Sequence, residues 1–433
     1  MRSPLAPERL LAAYAAGIFP MADEGGKIHW LVPDPRAIIE LGAFQSSRSM
    51  RSARRRGLFT ITIDGAFAEV IEACADRPEG TWISRDIHDA YCELHRLGFA
   101  HSVETWKEDQ LAGGLYGVAI GGAFFGESMF HRVTDASKVA LMCPHDVIHA
   151  HDWLSFGAGI SAKRASRAPL VVHVHATEFD RTGGHSEHPT IAAVEADGLS
   201  NADSIIAVSQ YTKNIVCERY NIDDEKVSVV HNGYDSSEIA FTTNQSFDWL
   251  KKIGFKIVLF VGRITLQKGP EYFIRAAVRT LEHYPKVIFL VAGSGDMEPA
   301  MIREAARAGI SERVLFSGFV RGEELASLYK SADLYVMPSV SEPFGITALE
   351  AAAAGVPVII SKQSGVSEVL KHAIAVDFWD TEELAAKIIA VLTHAPLANV
   401  IRRNTFVEAI SSTWRKAASS ISRLYRKLIS RKS

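Results

Sequence analysis

The sequence has few cysteines, no long apolar run and little net charge. Its four cysteines (Cys74, Cys92, Cys143 and Cys217) lack the close spacing of a metal site or a disulfide framework, so we expect them to be reduced. Nowhere do about 18 apolar residues follow one another, the length that a membrane-spanning helix needs. The first residues also lack the apolar core of a signal peptide. We therefore expect a cytoplasmic protein without a transmembrane segment.

The formal net charge of −3 argues against a protein that binds nucleic acid along its whole length. Apolar residues make up 47% of the chain and charged residues 22%, as in a soluble globular protein. A chain of 433 residues has room for about two to four domains.

The pattern of apolar residues changes near Leu141. Before that residue, short helices and strands are predicted. The predicted helices are 8–16, 67–75 and 87–97, and the predicted strands are 59–63, 101–106, 115–120 and 123–127, the last three separated by Gly-rich turns.

After Leu141, continuous apolar runs alternate with helical patterns, which is typical of buried parallel sheets. The first series of predicted strands is 147–149, 170–175, 204–208 and 227–230, and the second is 257–261, 287–292, 314–317, 334–337 and 356–360. Two such series predict two Rossmann-like domains that face a cleft. The polar stretch 236–247 is the predicted linker, and a helical tail is predicted over 406–428.

Two glutamates in the second series, Glu342 and Glu350, flank Pro343 and Gly345. A Pro and a Gly suit a loop that turns into a helix, and 347–354 has the composition of one. Backbone N–H groups at such a helix start can face an anion, while carboxylates accept hydrogen bonds from hydroxyl groups. The pattern therefore predicts a site for a polyhydroxylated ligand that carries phosphate.

Two cations, Arg263 and Lys268, follow a predicted strand of the same series and precede a predicted helix. Such a position suits a diphosphate. The alternative is that these cations and the two glutamates form ordinary surface salt bridges. We favour the ligand site because all four residues fit a single chemical plan.

The run 342–350 resembles the E-x7-E signature of family 4 retaining glycosyltransferases, which have the GT-B architecture, and residues 146–433 are similar to that family, glycogen synthase-like. The resemblance implies that Arg263 and Lys268 neutralise the leaving diphosphate of a nucleotide sugar without a metal. It implies that Glu342 holds the sugar, Glu350 binds the ribose and His175 contacts the donor sugar. Further donor-binding residues that it implies are Phe344, Gly345, Ile346, Thr347, Gly262 and Gly293.

The chain departs from that family because nothing before Asp146 resembles the first strands of its first domain. We therefore expect an incomplete first sheet with an exposed strand edge. His149, His151 and Asp152 have a spacing that could ligate a metal, but the sequence shows no distal carboxylate or cysteine to complete a set. In the family this segment is a strand end that lines the cleft, which is the interpretation we prefer, so no metal site is expected.

Residues 1–141 resemble a different family, the leucyl/phenylalanyl-tRNA–protein transferases, which move Leu or Phe from aminoacyl-tRNA to a protein N-terminus. The runs that carry the resemblance are 17–20, 30–36, 80–83, 126–130 and 136–138. It implies an acetyltransferase-like fold, Glu127 in the active site, and Trp30 and Trp82 as substrate-binding residues. The basic residues Arg48, Arg51, Arg54, Arg55 and Arg56 suit tRNA phosphates or, alternatively, form a solvated loop. The Asp-x-Gln motif of that family has no counterpart after Leu141.

The predicted fold class is α/β, with GT-B-type Rossmann-like domains, the first incomplete, preceded by an α+β acetyltransferase-like fragment. The predicted domains are 1–58 (small N-terminal domain of aminoacyl-transferase type), 59–141 (partial acetyltransferase-like), 142–240 (partial first Rossmann-like), 241–405 (nucleotide-sugar-binding) and 406–433 (C-terminal helix). The first functional hypothesis is a retaining glycosyltransferase that uses a nucleotide-sugar donor, a hydroxyl acceptor and no cofactor, fused to a partial aminoacyltransferase. The alternatives are aminoacyl transfer from tRNA to protein N-termini, and an inactive fusion that binds nucleotide sugar.

Overall fold

The computed structural model describes residues 5–23, 25–32, 56–78, 80–120, 123–140, 146–185, 187–234 and 247–430. The chain forms two compact units: unit 1 is Met1–Ile148 with Leu154–Ala168, and unit 2 is His149–Trp153 with Pro169–Ser433. The junction at Leu141, the basic residues before Arg56, and most of segment 30–36 and of the predicted linker lie outside the described residues. The finer domain boundaries stay predictions.

Unit 1 contains an antiparallel hairpin and a four-stranded antiparallel sheet. Helix α1 is Pro7–Ala15, and strands β1 (Phe19–Ala22) and β2 (Ile28–Leu31) form the hairpin. The sheet has the order β3-β4-β5-β6, with strands Thr60–Ile63, Ala100–Lys107, Gln110–Ile120 and Ala123–His131. Its helices are α2 (Phe67–Ala75), α3 (Arg85–Arg96) and α4 (Ala136–Ala140). The core lies between α2, α3 and the sheet and contains Val70, Ile71, Tyr91 and Tyr116.

The Gly-rich turns predicted before residue 115 are wrong, because Gly113 and Gly114 lie inside β5. A Cβ on Gly113 would lie 2.7 Å from the Cβ of Ala136, so the glycine lets α4 pack directly on the strand. The actual turn between β4 and β5 is Glu108–Asp109, where both residues have positive φ (50° and 59°), as a two-residue type I′ hairpin turn requires.

Unit 2 contains two parallel sheets, as predicted. The smaller sheet has the order β10-β9-β8-β7, with strands β7 (Ile148–His151), β8 (Leu170–Val174), β9 (Ser204–Ala207) and β10 (Val227–Val229). Helices of this part are α6 (Glu178–Arg181), α7 (Pro189–Asn201) and α8 (Gln210–Tyr220), whereas α5 (Asp152–Ser166) begins in unit 2 and belongs to unit 1 from Leu154 onward. Among the described residues the sheet ends at β7, which agrees with an incomplete first domain.

The larger sheet has the order β13-β12-β11-β14-β15-β16 and completes the second Rossmann-like domain. Its strands are β11 (Lys256–Val261), β12 (Val287–Ala292), β13 (Val314–Gly318), β14 (Leu334–Met337), β15 (Val358–Ser361) and β16 (Ile374–Val376). Its helices are α9 (Asp248–Lys252), α10 (Pro270–His283), α11 (Glu298–Arg307), α12 (Gly322–Ser331), α13 (Ile346–Ala353) and α14 (Thr381–Thr393). Strand β16 was not predicted.

The helix predicted over 406–428 is two helices, α15 (Ala395–Ser411) and α16 (Trp414–Ser430). The chain breaks between them because the segment at Gly233 and Tyr234 inserts there. Tyr234 N donates to Ser412 O at 2.8 Å, and a Cβ on Gly233 would lie 2.0 Å from Trp414 N.

Among the described residues, no single helix has the length and apolar content needed to cross a membrane. Helices α14 and α15 meet that criterion only when they are taken together, and they are bent by 99° relative to each other.

Candidate functional site

Five of the predicted residues of unit 2 lie in loops that follow strands, whereas Ile346, Thr347 and Glu350 lie in α13. His175 follows β8, Gly262 and Arg263 follow β11, Gly293 follows β12, and Glu342 follows β14. The carboxyl ends of parallel strands share one edge of a sheet, which is where open α/β sheets bind ligands.

Glu342 and Lys268 form an ion pair in which the glutamate is buried and the lysine is partly buried. Lys268 Nζ donates to Glu342 Oε2 at 2.5 Å, and Ser339 Oγ donates to the same oxygen at 3.0 Å. The Glu342 residue is only 5% exposed. Its backbone is fixed as well, because Glu342 N donates to Gln363 O at 2.9 Å and Gly365 N donates to Glu342 O at 2.9 Å. The pair is therefore not an ordinary surface salt bridge.

Glu350 and Glu342 share a neighbour in Tyr335. Tyr329 OH donates to Glu350 Oε2 at 2.8 Å, and Tyr335 OH bonds Thr347 Oγ1 at 2.7 Å. Burial is the main cause that raises the pKa of Tyr335, and the charges of Glu342 and Glu350 add to it. The structure therefore brings both carboxylates of the E-x7-E run close to one tyrosine.

The start of α13 requires a glycine. Gly345 has φ +109°, and a Cβ there would lie 3.0 Å from Met337 Cε. Ile346 and Thr347 form the first turn, so their N–H groups have no partner inside the helix. The Phe344 side chain is buried beside His231, so only its backbone can reach a ligand.

The loops after β11 and β12 touch backbone to backbone. Gly262 and Gly293 have φ +154° and +145°, and a Cβ on Gly293 would lie 1.8 Å from Gly262 O. Ile264 N donates to Ser294 O at 2.9 Å across the same contact. This contact positions Arg263, whose exposed guanidinium Nη2 donates to Gln267 Oε1 at 3.3 Å.

Asp180 joins the smaller-sheet part of unit 2 to the loop that carries Glu342. Ser341 Oγ donates to Asp180 Oδ1 at 2.6 Å, while Oδ2 accepts from Thr177 N and Oγ1 in a capping box. Burial raises the pKa of Asp180, and the charge of Glu342 contributes in the same direction. Sequence reasoning missed Asp180, although its T-x-x-D capping signal was present.

The N-terminus of α8 makes a second connection to the same loop. Ser209 Oγ donates to Pro343 O at 2.6 Å, and Thr212 Oγ1 donates to the same oxygen at 3.2 Å. Glu368 accepts from the N–H groups of Gln210 and Tyr211 at 2.8 and 2.9 Å. Sequence reasoning missed these residues because their partners lie more than a hundred residues away in the chain.

His175 belongs to a cluster of four imidazoles. His175 N donates to Asp152 Oδ1 at 2.7 Å, and its Nε2 lies 2.9 Å from His151 Nδ1. Burial lowers the pKa of His175, lowers that of His149 to about 4 and lowers that of His173 to about 2. His149, His151 and His173 hold nitrogens within 4.8 Å of one another. His173 is the member of this group that the sequence analysis did not connect with His149 and His151.

In unit 1, Glu127 lies beside two buried tyrosines. Tyr14 OH and Tyr91 OH bond each other. Burial raises the pKa of both tyrosines, and the nearby charge of Glu127 adds to the rise. Trp30 and Trp82 pack against the same core as these tyrosines. Sequence reasoning missed both tyrosines, whose chain positions lie far from Glu127.

Four family models match the chain. The leucyl/phenylalanyl-tRNA protein transferase N-terminal domain matches residues 3–34, and the leucyl/phenylalanyl-tRNA protein transferase model matches 38–169. The starch synthase catalytic domain matches 115–227, and glycosyl transferases group 1 matches 241–407. The leucyl/phenylalanyl-tRNA protein transferase model continues beyond the predicted junction at Leu141.

Curated relatives fall into two kinds. An uncharacterized glycosyltransferase of Methanocaldococcus jannaschii is 43% identical over 53% of this chain and 61% of its own length. Leucyl/phenylalanyl-tRNA–protein transferases of Salinibacter ruber and Akkermansia muciniphila are 56% and 52% identical, over 33% and 36% of this chain and over 63% and 82% of their own lengths. The chain thus spans about three fifths of the Methanocaldococcus and Salinibacter relatives.

Solved structures share the fold of unit 2. Sucrose-phosphate synthase from Thermosynechococcus elongatus has a TM-score of 0.59 at 24% identity and covers 66% of this chain and 74% of its own. Anabaena HepE, in complex with UDP and glucose, has a TM-score of 0.56 at 21% identity and covers 65% of this chain and 77% of its own. Unit 2 therefore has a GT-B-type fold, and residues 241–407 match the glycosyl transferases group 1 model. Through its N-terminal part the chain belongs to the leucyl/phenylalanyl-tRNA–protein transferase family.

Proposed function

We propose that unit 2 is a family 4 glycosyltransferase, which moves a sugar from a nucleotide-diphosphate donor to a hydroxyl acceptor with retention at the anomeric carbon. The observation that carries the proposal is the ion pair between Lys268, in the turn after β11, and the buried Glu342, in the loop that leads into α13, the helix that holds Glu350. A cation, two carboxylates and a helix N-terminus together suit a diphosphate that carries sugars on both sides.

Each predicted residue then has a role. Negative charge develops on the diphosphate as its bond to the anomeric carbon breaks, and Arg263, Lys268 and the first N–H groups of α13 stabilise that charge. Transfer by this route needs no metal cofactor, and the nucleotide sugar is a substrate. Glu342 and His175 would bind the sugar hydroxyls, while Glu350 would bind the ribose.

We propose the cytoplasm as the place of action. Cys74, Cys92 and Cys217 are free thiols in the described part of the chain, which suits a reducing compartment.

A panel of nucleotides and nucleotide sugars tests the donor site through the melting temperature, because a ligand that binds only the folded state raises it. We expect one base to stabilise the chain and the matching sugar nucleotide to be turned over with retention. Glu342→Gln should abolish turnover and keep the fold, whereas Glu323→Gln on an exposed turn of α12 should change neither. Full turnover by the Glu342 variant would refute the assigned role.

A second candidate function is aminoacyl transfer by unit 1, from aminoacyl-tRNA to a protein N-terminus. The observation that favours it is Glu127 beside Tyr14 and Tyr91 in the core that Trp30 and Trp82 flank. The carboxylate would orient the attacking amine, and the apolar surroundings would hold a Leu or Phe side chain.

Labelled leucyl-tRNA and a peptide that begins with Arg or Lys test this candidate. We expect label in the peptide with the native chain and none with Glu127→Gln. If neither the native chain nor the variant transfers label to the peptide, aminoacyl transfer by unit 1 is refuted. If nucleotides then stabilise the chain but no sugar is turned over, the chain is a fusion that only binds nucleotide sugar.

A further inference from the structure

Four histidines lie close together on two neighbouring strands, β7 and the end of β8. His149 and His151 are two residues apart on β7, and His173 and His175 are two residues apart at the end of β8, so each pair lies on one face of its strand. The ring centroids of His149 and His151 are 4.2 Å apart, and His173 lies 5.3 Å and 5.1 Å from them. Pairing of these neighbouring strands therefore brings together imidazoles that are separate in the sequence.

Several nitrogens of this cluster are buried without a hydrogen-bond partner. Among the described residues, His149 Nε2 and both ring nitrogens of His173 have none. His173 is only 5% exposed, so water does not solvate these atoms freely. Buried polar atoms are nearly always paired, and an exception requires an explanation such as an ion.

We propose that His149, His151 and His173 bind one transition-metal ion of the zinc class. One ring nitrogen of each of the three lies within 4.8 Å of those of the other two, and a tetrahedral zinc site needs roughly 3.4 Å between nitrogens, which small side-chain rotations supply. Neutral imidazoles favour zinc, copper and nickel over magnesium or calcium, which prefer oxygen ligands.

The remaining ring nitrogens support the assignment. A metal-bound histidine usually makes a hydrogen bond through its other ring nitrogen, which fixes the ring. His149 Nδ1 bonds Tyr425 OH, and His151 Nδ1 lies 2.9 Å from His175 Nε2. These contacts fix both rings through Nδ1, His149 Nε2 and His173 supply nitrogens without a partner in the described part of the chain for an ion, and that ion would in turn orient His175. The test of this site does not depend on sugar transfer.

Zinc binding to the full, untagged chain tests the proposal. After the protein is stripped with a chelator, equilibrium dialysis with metal analysis should give one Zn²⁺ per chain. His149→Gln and His173→Gln should each weaken binding at least tenfold, and Tyr425→Phe should weaken it about tenfold through loss of the outer hydrogen bond. His283→Gln, at the exposed end of α10, should bind as the native chain does.

The variant His151→Gln keeps the test informative if the variants of buried histidines fail to fold. His151 is exposed, so its replacement leaves the core intact. This variant too should lose at least tenfold in affinity while its circular dichroism stays native. Substitution with Co²⁺ should give the intense visible absorption of a tetrahedral site. No stoichiometric binding by the native chain, or binding that these three histidine substitutions leave unchanged, would overturn the proposal.

Discussion

Single glycines decide whether the loops of unit 2 can approach one another. Gly293 combines a positive φ with direct contact to Gly262 O, so any side chain would push the loops after β11 and β12 apart. Gly365 has the same role beside Pro343, where a Cβ would lie 2.2 Å from Pro343 O. These contacts hold Arg263 and Glu342 in place.

Gly293→Ala should therefore destabilise the chain by about 3 kcal/mol, because backbone strain and a steric clash act together. The loss of stability is measured from the urea midpoint of unfolding. The rise in melting temperature that a nucleotide causes should also be smaller in this variant than in the native chain. Gly309→Ala is the matched control: Gly309 has φ +70° but open space around its Cβ position, so only strain of about 1 kcal/mol is expected.

The Lys268–Glu342 pair predicts strong non-additivity. Lys268→Met should destabilise the fold by about 2–3 kcal/mol, because it leaves the Glu342 charge buried without its cation. The combined variant Lys268→Met with Glu342→Gln should recover about 1–2 kcal/mol of that loss. A double-mutant cycle in urea measures the coupling, and strictly additive effects would show that the pair does not act as a unit.

Helix α8 is held at its N-terminus by a carboxylate from the second Rossmann-like domain. Burial alone would raise the pKa of Glu368, but hydrogen bonds from His231 and from the N–H groups of Gln210 and Tyr211 outweigh it and lower that pKa. The ionised carboxylate also lies favourably at a helix N-terminus. Glu368 therefore fastens α8 to the domain that carries Glu342.

A lowered pKa sets the sign of the pH dependence. The stabilisation by Glu368 is present above the ordinary glutamate pKa and is lost as pH falls through its lower folded-state value. Glu368→Gln should therefore reduce stability at pH 7, and the difference from the native chain should shrink as the solution becomes acidic. Glu218→Gln, on the exposed face of α8, should show no such pH-dependent difference in urea unfolding.

Secondary-structure elements were largely predictable where a run of consecutive residues is apolar. The strands β8, β9, β11, β12 and β14 follow the predicted runs closely, because each is buried on both faces. The misassigned glycines of β5 and the broken tail helix have a different cause. Close packing against α4, and insertion of the segment at Gly233, depend on residues distant in the chain.

The whole molecule has separate cores in its two units. The core of unit 1 includes Leu94 and Tyr116, whereas unit 2 buries Leu259 and Phe289 on opposite faces of its larger sheet. The leucyl/phenylalanyl-tRNA protein transferase models match residues 3–34 and 38–169, and the glycosyl transferases group 1 model matches residues 241–407 of unit 2.

Calorimetry should therefore resolve two unfolding transitions. A bound nucleotide should raise the melting temperature of only the transition that belongs to unit 2. Leu94→Ala should lower the other transition, because deletion of a buried Leu costs about 2–5 kcal/mol. The nucleotide-induced shift should be the same in this variant as in the native chain. A single cooperative transition that both changes move would contradict independent cores.

The sequence by itself determined the two families, the parallel strands and the E-x7-E run, because periodicity and short motifs are local. It also indicated Arg263, Lys268, Glu342 and Glu350 as one chemical set. Only the tertiary structure decided that Lys268 pairs with Glu342, that Asp180 and Glu368 reach the same loop, and that His173 joins His149 and His151. Those contacts connect residues far apart in the chain, and a parallel sheet brings them together only when its strands pair in register.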